Sequence, residues 1–189
     1  MLQELLSEKK TAILKRWFHM IVETYPADSA DFLKREKNQF ANPIGYTTST
    51  EIESIYDELV NGMDRQRLCA LLDKIIRIRA VQQFSPSQAV VFVMLLKKAV
   101  REELGNEISK SQAYDELLEF ENRIDNLALF AFDIYMECRE KISDIKANEI
   151  RNRSKKLLER MNIAWENPGH ACDLRLVNNV DDEKEREGR

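Results

Sequence analysis

Apolar residues recur along most of this chain at intervals of three and four, the spacing that lines one side of an α-helix. From Leu2 to Tyr25 the set is Leu2, Leu5, Leu6, Ile13, Leu14, Trp17, Phe18, Ile21 and Tyr25. It predicts one amphipathic helix that Pro26 stops. Asp28 is placed to cap a short helix through Glu36 by accepting from a free backbone N–H. The stretch Phe40-Ala41-Asn42-Pro43-Ile44-Gly45-Tyr46 predicts a defined loop, because Pro43 disfavours helix at Asn42 and Gly45 permits positive φ. A helix from about Thr50 to Gly62 follows, with Ile52, Ile55, Tyr56 and Leu59 inward and Gly62 as a left-handed cap. Another runs from Asp64 to about Phe84 through Leu68, Leu71, Leu72, Ile75, Ile76, Ile78 and Val81. Ser85-Pro86 opens the next, which is expected to end at Gly105.

Within that helix, Ala89 to Leu96 has no polar break, and periodicity alone does not separate a buried helix from a buried strand. The capping pair before it, and the helical spacing of Ala89, Phe92, Val93, Leu96 and Val100, decide for a helix in the middle of the fold. From Ser111 there is no Pro or Gly until Pro168, so one helix can pass residue 160. Ala113, Leu117, Phe120, Ile124, Leu127, Ala131, Ile134 and Cys138 alternate steps of four and three, an unbroken heptad seam. Leu129, Phe132 and Met136 form a second apolar set on another face. The seam reads either as the core side of a long helix or as a contact with a partner helix. We expect it to serve as a dimer interface through Leu117, Phe120, Ile124, Leu127, Ala131, Ile134 and Cys138. After Lys141 the seam decays. The expected organisation is a helical domain over 1–140, a helical extension over 141–166 and a disordered polar tail over 167–189.

Composition sharpens this all-α expectation. Only 5 Gly and 4 Pro occur in 189 residues, too few for the tight turns of a sheet protein. The net charge of −4 gives no basic excess for a phosphate backbone, so nucleic acid is not an expected partner. No apolar run approaches a membrane span, and none opens the chain as a secretory signal, so membrane insertion is not expected. Cys69, Cys138 and Cys172 are too few and too far apart for a disulfide framework. They read as reduced thiols of a cytoplasmic protein.

Chemistry is hard to find. Phosphate-cradling, dinucleotide, nucleophile-elbow and zinc-protease patterns are all missing. Neither His19 nor His170 follows a Glu by three residues, as a di-iron bundle requires. His19 reads as a partly buried structural histidine, with pH sensing as the sharper alternative. His170, Cys172 and Asp173 offer too few ligands for a metal site. Cys138 reads as a small buried hydrophobe, with an interchain redox contact as its rival. Six basic residues between Lys146 and Arg160 face only Glu149 and Glu159, a solvated face or a docking helix. Neither a catalytic residue nor a cofactor or metal is expected.

Three segments carry a family resemblance: Leu14-Lys15-Arg16-Trp17 with Thr24-Tyr25-Pro26, the loop from Phe40 to Tyr46, and the run from Ile76 to Val90 followed by Leu95-Leu96-Lys97-Lys98. In this order they resemble the N-terminal domain of RsbR-type regulators, the RsbRD N-terminal family, over roughly residues 5–140. The resemblance implies a globin-like helical fold without haem. It implies a homodimer formed through terminal helices, and a sensory role in which a long last helix carries the state to an output module. Relatives continue into such a module, whereas this sequence ends soon after the helix, so the output is expected to be a separate polypeptide or to be missing altogether.

Two further readings stand beside that of a non-enzymatic, dimeric, stand-alone regulatory domain. One is a module holding an apolar ligand such as a fatty acid among Phe92, Met94, Leu95 and Phe130, since a vacated globin pocket has room for one. The other is an accessory protein that docks on a partner complex through its basic C-terminal helix.

Overall fold

The computed structural model describes residues 1–36, 38–111 and 113–160, with 163–164 and 175–176. Seven helices are found among them: α1 (Leu2–Glu8), α2 (Lys10–Val22), α3 (Ala27–Arg35), α4 (Pro43–Asn61), α5 (Arg65–Val81), α6 (Pro86–Ser111) and α7 (Tyr114–Arg160). This is an all-α, globin-like bundle with a long C-terminal helix. The chain divides into two compact units, Met1–Glu140 and Lys141–Arg189. In the second, the described part is the end of α7 and a two-residue antiparallel ladder, in which Ile163 pairs with Leu176 and Ala164 with Arg175. The expectation of a structureless tail over 167–189 otherwise lies outside the described residues, as do His170, Cys172 and Asp173.

In the first unit α2 lies along α6 and α4 along α5, while α1 and α3 close the sides. The apolar stripes meet in a core that includes Trp17, Ile21, Tyr56, Leu59, Leu68, Leu72, Phe92 and Leu96. Each large side chain buried there contributes roughly 1.5–3 kcal/mol. Buried polar bonds pin the stripes in register. The Trp17 indole N–H donates to the Phe92 carbonyl at 2.6 Å, and the Tyr56 hydroxyl donates to the Leu6 carbonyl at 2.9 Å.

Several boundaries differ from the sequence expectation. The first helix is two, because the backbone at Lys9 leaves the helical region (φ −91°, ψ 5°) while Leu6 and Ile13 stay inward on either side. Pro26, rather than Asp28, holds the position before α3. The expected loop at 40–46 is half helix. Pro43 takes the first helical position, where its missing N–H costs nothing, and the Asn42 side chain caps the turn by accepting from Gly45 N–H at 2.8 Å. A Cβ at Gly45 would stand 2.3 Å from Asn42 Nδ2, so this cap needs glycine. Gly62 is not left-handed (φ −152°); the positive φ falls on Met63, at 101°. α6 passes through Gly105 to Ser111, because Leu104 and Ile108 continue its buried face.

Candidate functional site

The apolar stripe of α5 contains a cation. Leu68, Leu72, Ile75, Ile76, Arg79 and Ala80 are the buried residues of this helix, and Arg79 is only 1% exposed. No carboxylate pairs with it among the described ion pairs. Its Nη1 donates to the Gln88 carbonyl at 2.9 Å and its Nη2 to the Thr24 hydroxyl at 3.1 Å. Nε has no partner. Three rings surround the guanidinium: Tyr25, Phe84 and Phe92, with centroids 5.3, 5.0 and 5.2 Å from Cζ. All three lie within the roughly 6 Å over which a ring face attracts a cation. Tyr25 and Phe84 also meet edge to face at 5.1 Å. Burial draws the Arg79 guanidinium below its ordinary pKa, opposed by the Tyr25 hydroxyl beside it. Burial in turn pushes Tyr25 up, opposed by Arg79.

An uncompensated buried charge is costly, and two neutral acceptors with three ring faces offset only part of that cost. The box also draws separate segments together: Thr24 and Tyr25 precede α3, Arg79 ends α5, Phe84 lies in the α5–α6 turn, and Gln88 and Phe92 begin α6. Beside it, Phe18, Tyr25 and Ile44 pack on the small cluster of Val22, Ala30 and Leu33. Asn42 completes this corner, donating to the carbonyls of Leu33 (3.1 Å) and Glu36 (2.8 Å). The box went unread in the sequence, although Arg79 follows Ile75 and Ile76 at steps of four and three. That spacing was the available signal.

α7 is the second candidate. Its seam turns inward: Phe120, Ile124, Leu127 and Ala131 are buried by the protein's own chain, and Leu117, Ile134 and Cys138 are half-buried. The residues expected at a dimer interface thus divide: the central ones belong to the chain's own core, and Leu117, Ile134 and Cys138 keep part of their surface. Polar clamps fix the helix in that rotation. Arg101 grips Glu121 through two bonds of 2.5 and 2.7 Å. Lys97 meets Asp125 at 2.6 Å, and Arg123 donates to the Leu59 carbonyl at 3.2 Å. Glu116 accepts from the Leu2 N–H at 2.7 Å, which holds its carboxyl below the usual range. The second apolar set is left in solvent: Leu129, Phe132 and Met136 are 63, 45 and 47% exposed. At the far end of the unit, the Tyr135 hydroxyl donates to the Phe84 carbonyl, and Arg139 Nη1 to the Ala80 carbonyl at 3.4 Å.

The four residues expected around an apolar ligand have different surroundings. Phe92 is in the core against Arg79, Met94 points to solvent beside Lys97 and Arg101, Leu95 is half-buried, and Phe130 lies under the Arg65 guanidinium at 4.8 Å. Residues 92 and 94, two apart on one helix, face opposite ways. His19 is about half-exposed, with Nδ1 3.2 Å from Glu23. Among the described residues no group of three or more His, Cys, Asp or Glu is placed to hold a metal ion, and no helix is long and apolar enough to cross a membrane.

Comparison with known proteins places the chain. The family described as the RsbT co-antagonist protein rsbRD N-terminal domain matches residues 11–150. Neither a curated protein nor a solved structure matches significantly.

Proposed function

This chain belongs to the RsbT co-antagonist protein rsbRD N-terminal domain family, a family of stress-signalling regulatory domains, and we propose that it acts as a dimeric sensory domain whose output leaves through α7. The observation that carries this reading is the bare face of α7. Leu129, Phe132 and Met136 stand together on a helix whose opposite side is already buried, an arrangement that suits a second helix.

A second copy of the chain is the occupant that the local charge favours. Asp133 and Glu140 flank the stripe on one side and Arg139 on the other. In a symmetric pair running in the same direction, the acidic flank of each helix meets the basic flank of its mate. In the sequence, Leu129, Met136, Ser143, Ile150 and Leu157 recur every seven residues, the interval that two helices wound together require. The basic side chains beside that seam in the C-terminal half of α7, Lys146, Arg151, Arg153, Lys155 and Lys156, then face an output partner.

Sedimentation equilibrium at micromolar concentration tests the reading. The expected mass is twice 22.1 kDa, falling to a single chain when Phe132→Glu and Met136→Glu are combined. A monomeric wild type, or a double variant that stays dimeric, contradicts it.

A further inference from the structure

Past Ala131, α7 has one buried side chain left among its described residues, Tyr135 at 2% exposure. Its hydroxyl does not satisfy α7 itself. It donates to the carbonyl of Phe84, in the short turn between α5 and α6. One helical turn later, Arg139 donates to Ala80 at the end of α5. The last hold on α7 before residue 140 is therefore on the backbone of this turn.

The turn is also a wall of the Arg79 box. The Phe84 ring stacks over the guanidinium, and the Phe84 N–H donates to the Arg79 carbonyl at 3.3 Å. Gln83, between the two anchors, has φ 63°, the left-handed residue of a Schellman-type helix end. Its N–H bonds to the Ala80 carbonyl at 3.4 Å and the Phe84 N–H to that of Arg79, and the two α7 donors reach the Ala80 and Phe84 carbonyls at the same place. The Phe84 ring is thus a wall of the box while its carbonyl accepts from α7, and its N–H ties the same residue to the Arg79 carbonyl, so a shift of this backbone is felt at both.

We infer that the Arg79 box, the Phe84 turn and Tyr135 form a latch that couples the interior of the domain to the output end of α7. Closed, the box keeps an unpaired cation among three rings and holds α7 at residues 135–139. An event that opens the box and shifts the backbone between Arg79 and Phe84 releases that end of the helix. This deepens the regulatory reading and rests on it, by naming where the fold stores two arrangements of α7.

Amide hydrogen exchange on the full chain tests the latch in both directions. Tyr135→Phe keeps the ring and removes one hydrogen bond. It should raise exchange about tenfold in α7 over 136–142 and also at 84–89, the factor that one buried hydrogen bond is worth. Arg79→Met keeps the length and removes the charge, and should raise exchange over the same part of α7. The double variant should match the larger single effect rather than multiply the two. If the two effects multiply, or if Tyr135→Phe loosens α7 and leaves 84–89 unchanged, the latch is overturned. Should Arg79→Met fail to fold, the two segments read in Tyr135→Phe still decide. Because exchange is read in the monomeric Phe132→Glu, Met136→Glu background as well, failure of the latch and failure of the dimer remain distinguishable.

Discussion

On one side of α7, Phe120, Ile124, Leu127 and Ala131 lie under the protein's own helices; on the other, Leu129, Phe132 and Met136 stand in solvent. Both sets are apolar and both keep helical spacing, so spacing does not separate them. Their polar neighbours do. Glu121 and Asp125 reach α6 from one flank of the buried face, and Arg123 reaches the end of α4 from the other, which leaves this helix one rotation that satisfies all three. Among the described residues the bare face has one such bond, from Arg139 at its edge to the Ala80 carbonyl, and none on its acidic flank. An apolar stripe fenced on both flanks by long-range polar bonds is core, and one left open on a flank is available surface.

Substitutions on the two faces should therefore differ in kind. The largest effect belongs to the covered face. Ile124→Glu places a charge where no water reaches, and should lower the folding free energy by about 4 kcal/mol or more in chemical denaturation. A well-folded variant with only a changed mass would return the seam to an interface. Next comes the fence. Arg101→Ala strands the buried Glu121 carboxylate and should cost about 1–2 kcal/mol, reduced because the Arg101 end is solvated. Glu121→Gln in the same background should recover part of that loss. On the bare face, Phe132→Glu with Met136→Glu should change the stability of the monomer by no more than about 0.5 kcal/mol.

The effects of pH come last, because they lie at the two ends of the scale. Burial raises Tyr56 and Tyr25 above their ordinary value of 10.0, and Asp57 raises Lys10 above 10.5. A raised folded value means stability that is complete below the unfolded pKa and lost as pH climbs through the folded one. Glu116 is depressed by the Leu2 N–H, so its contribution is present above 4.5 and lost as pH falls through the folded value. Stability should be level between these limits and decline outside them. Tyr56→Phe should flatten the alkaline decline, and an unchanged slope would remove Tyr56 from the account.

The helices were legible because amphipathic spacing is written along the chain. Trp17, Ile52, Phe92 and Leu127 each fall where the period puts them. The ends were less legible, since they depend on capping geometry: Asn42 turned an expected loop into the start of α4, and the buried Leu104 and Ile108 carried α6 through Gly105. The box was not legible for a different reason. Its parts lie far apart in sequence, and the burial of Arg79 depends on Tyr25, Phe84 and Phe92 arriving together. The choice between the faces of α7 was open because a heptad seam specifies a mate without naming it.

Cysteine cross-linking along α7, with Cys69, Cys138 and Cys172 replaced by serine, tests the bare face most directly. Single cysteines at 129, 133, 136 and 140 should give covalent dimers under mild oxidation, strongest at 136, while a cysteine at the solvent-facing Lys98 gives none. Cross-links that fail at 129 and 136, or that form equally well at 98, would contradict the assignment of that face to a second copy.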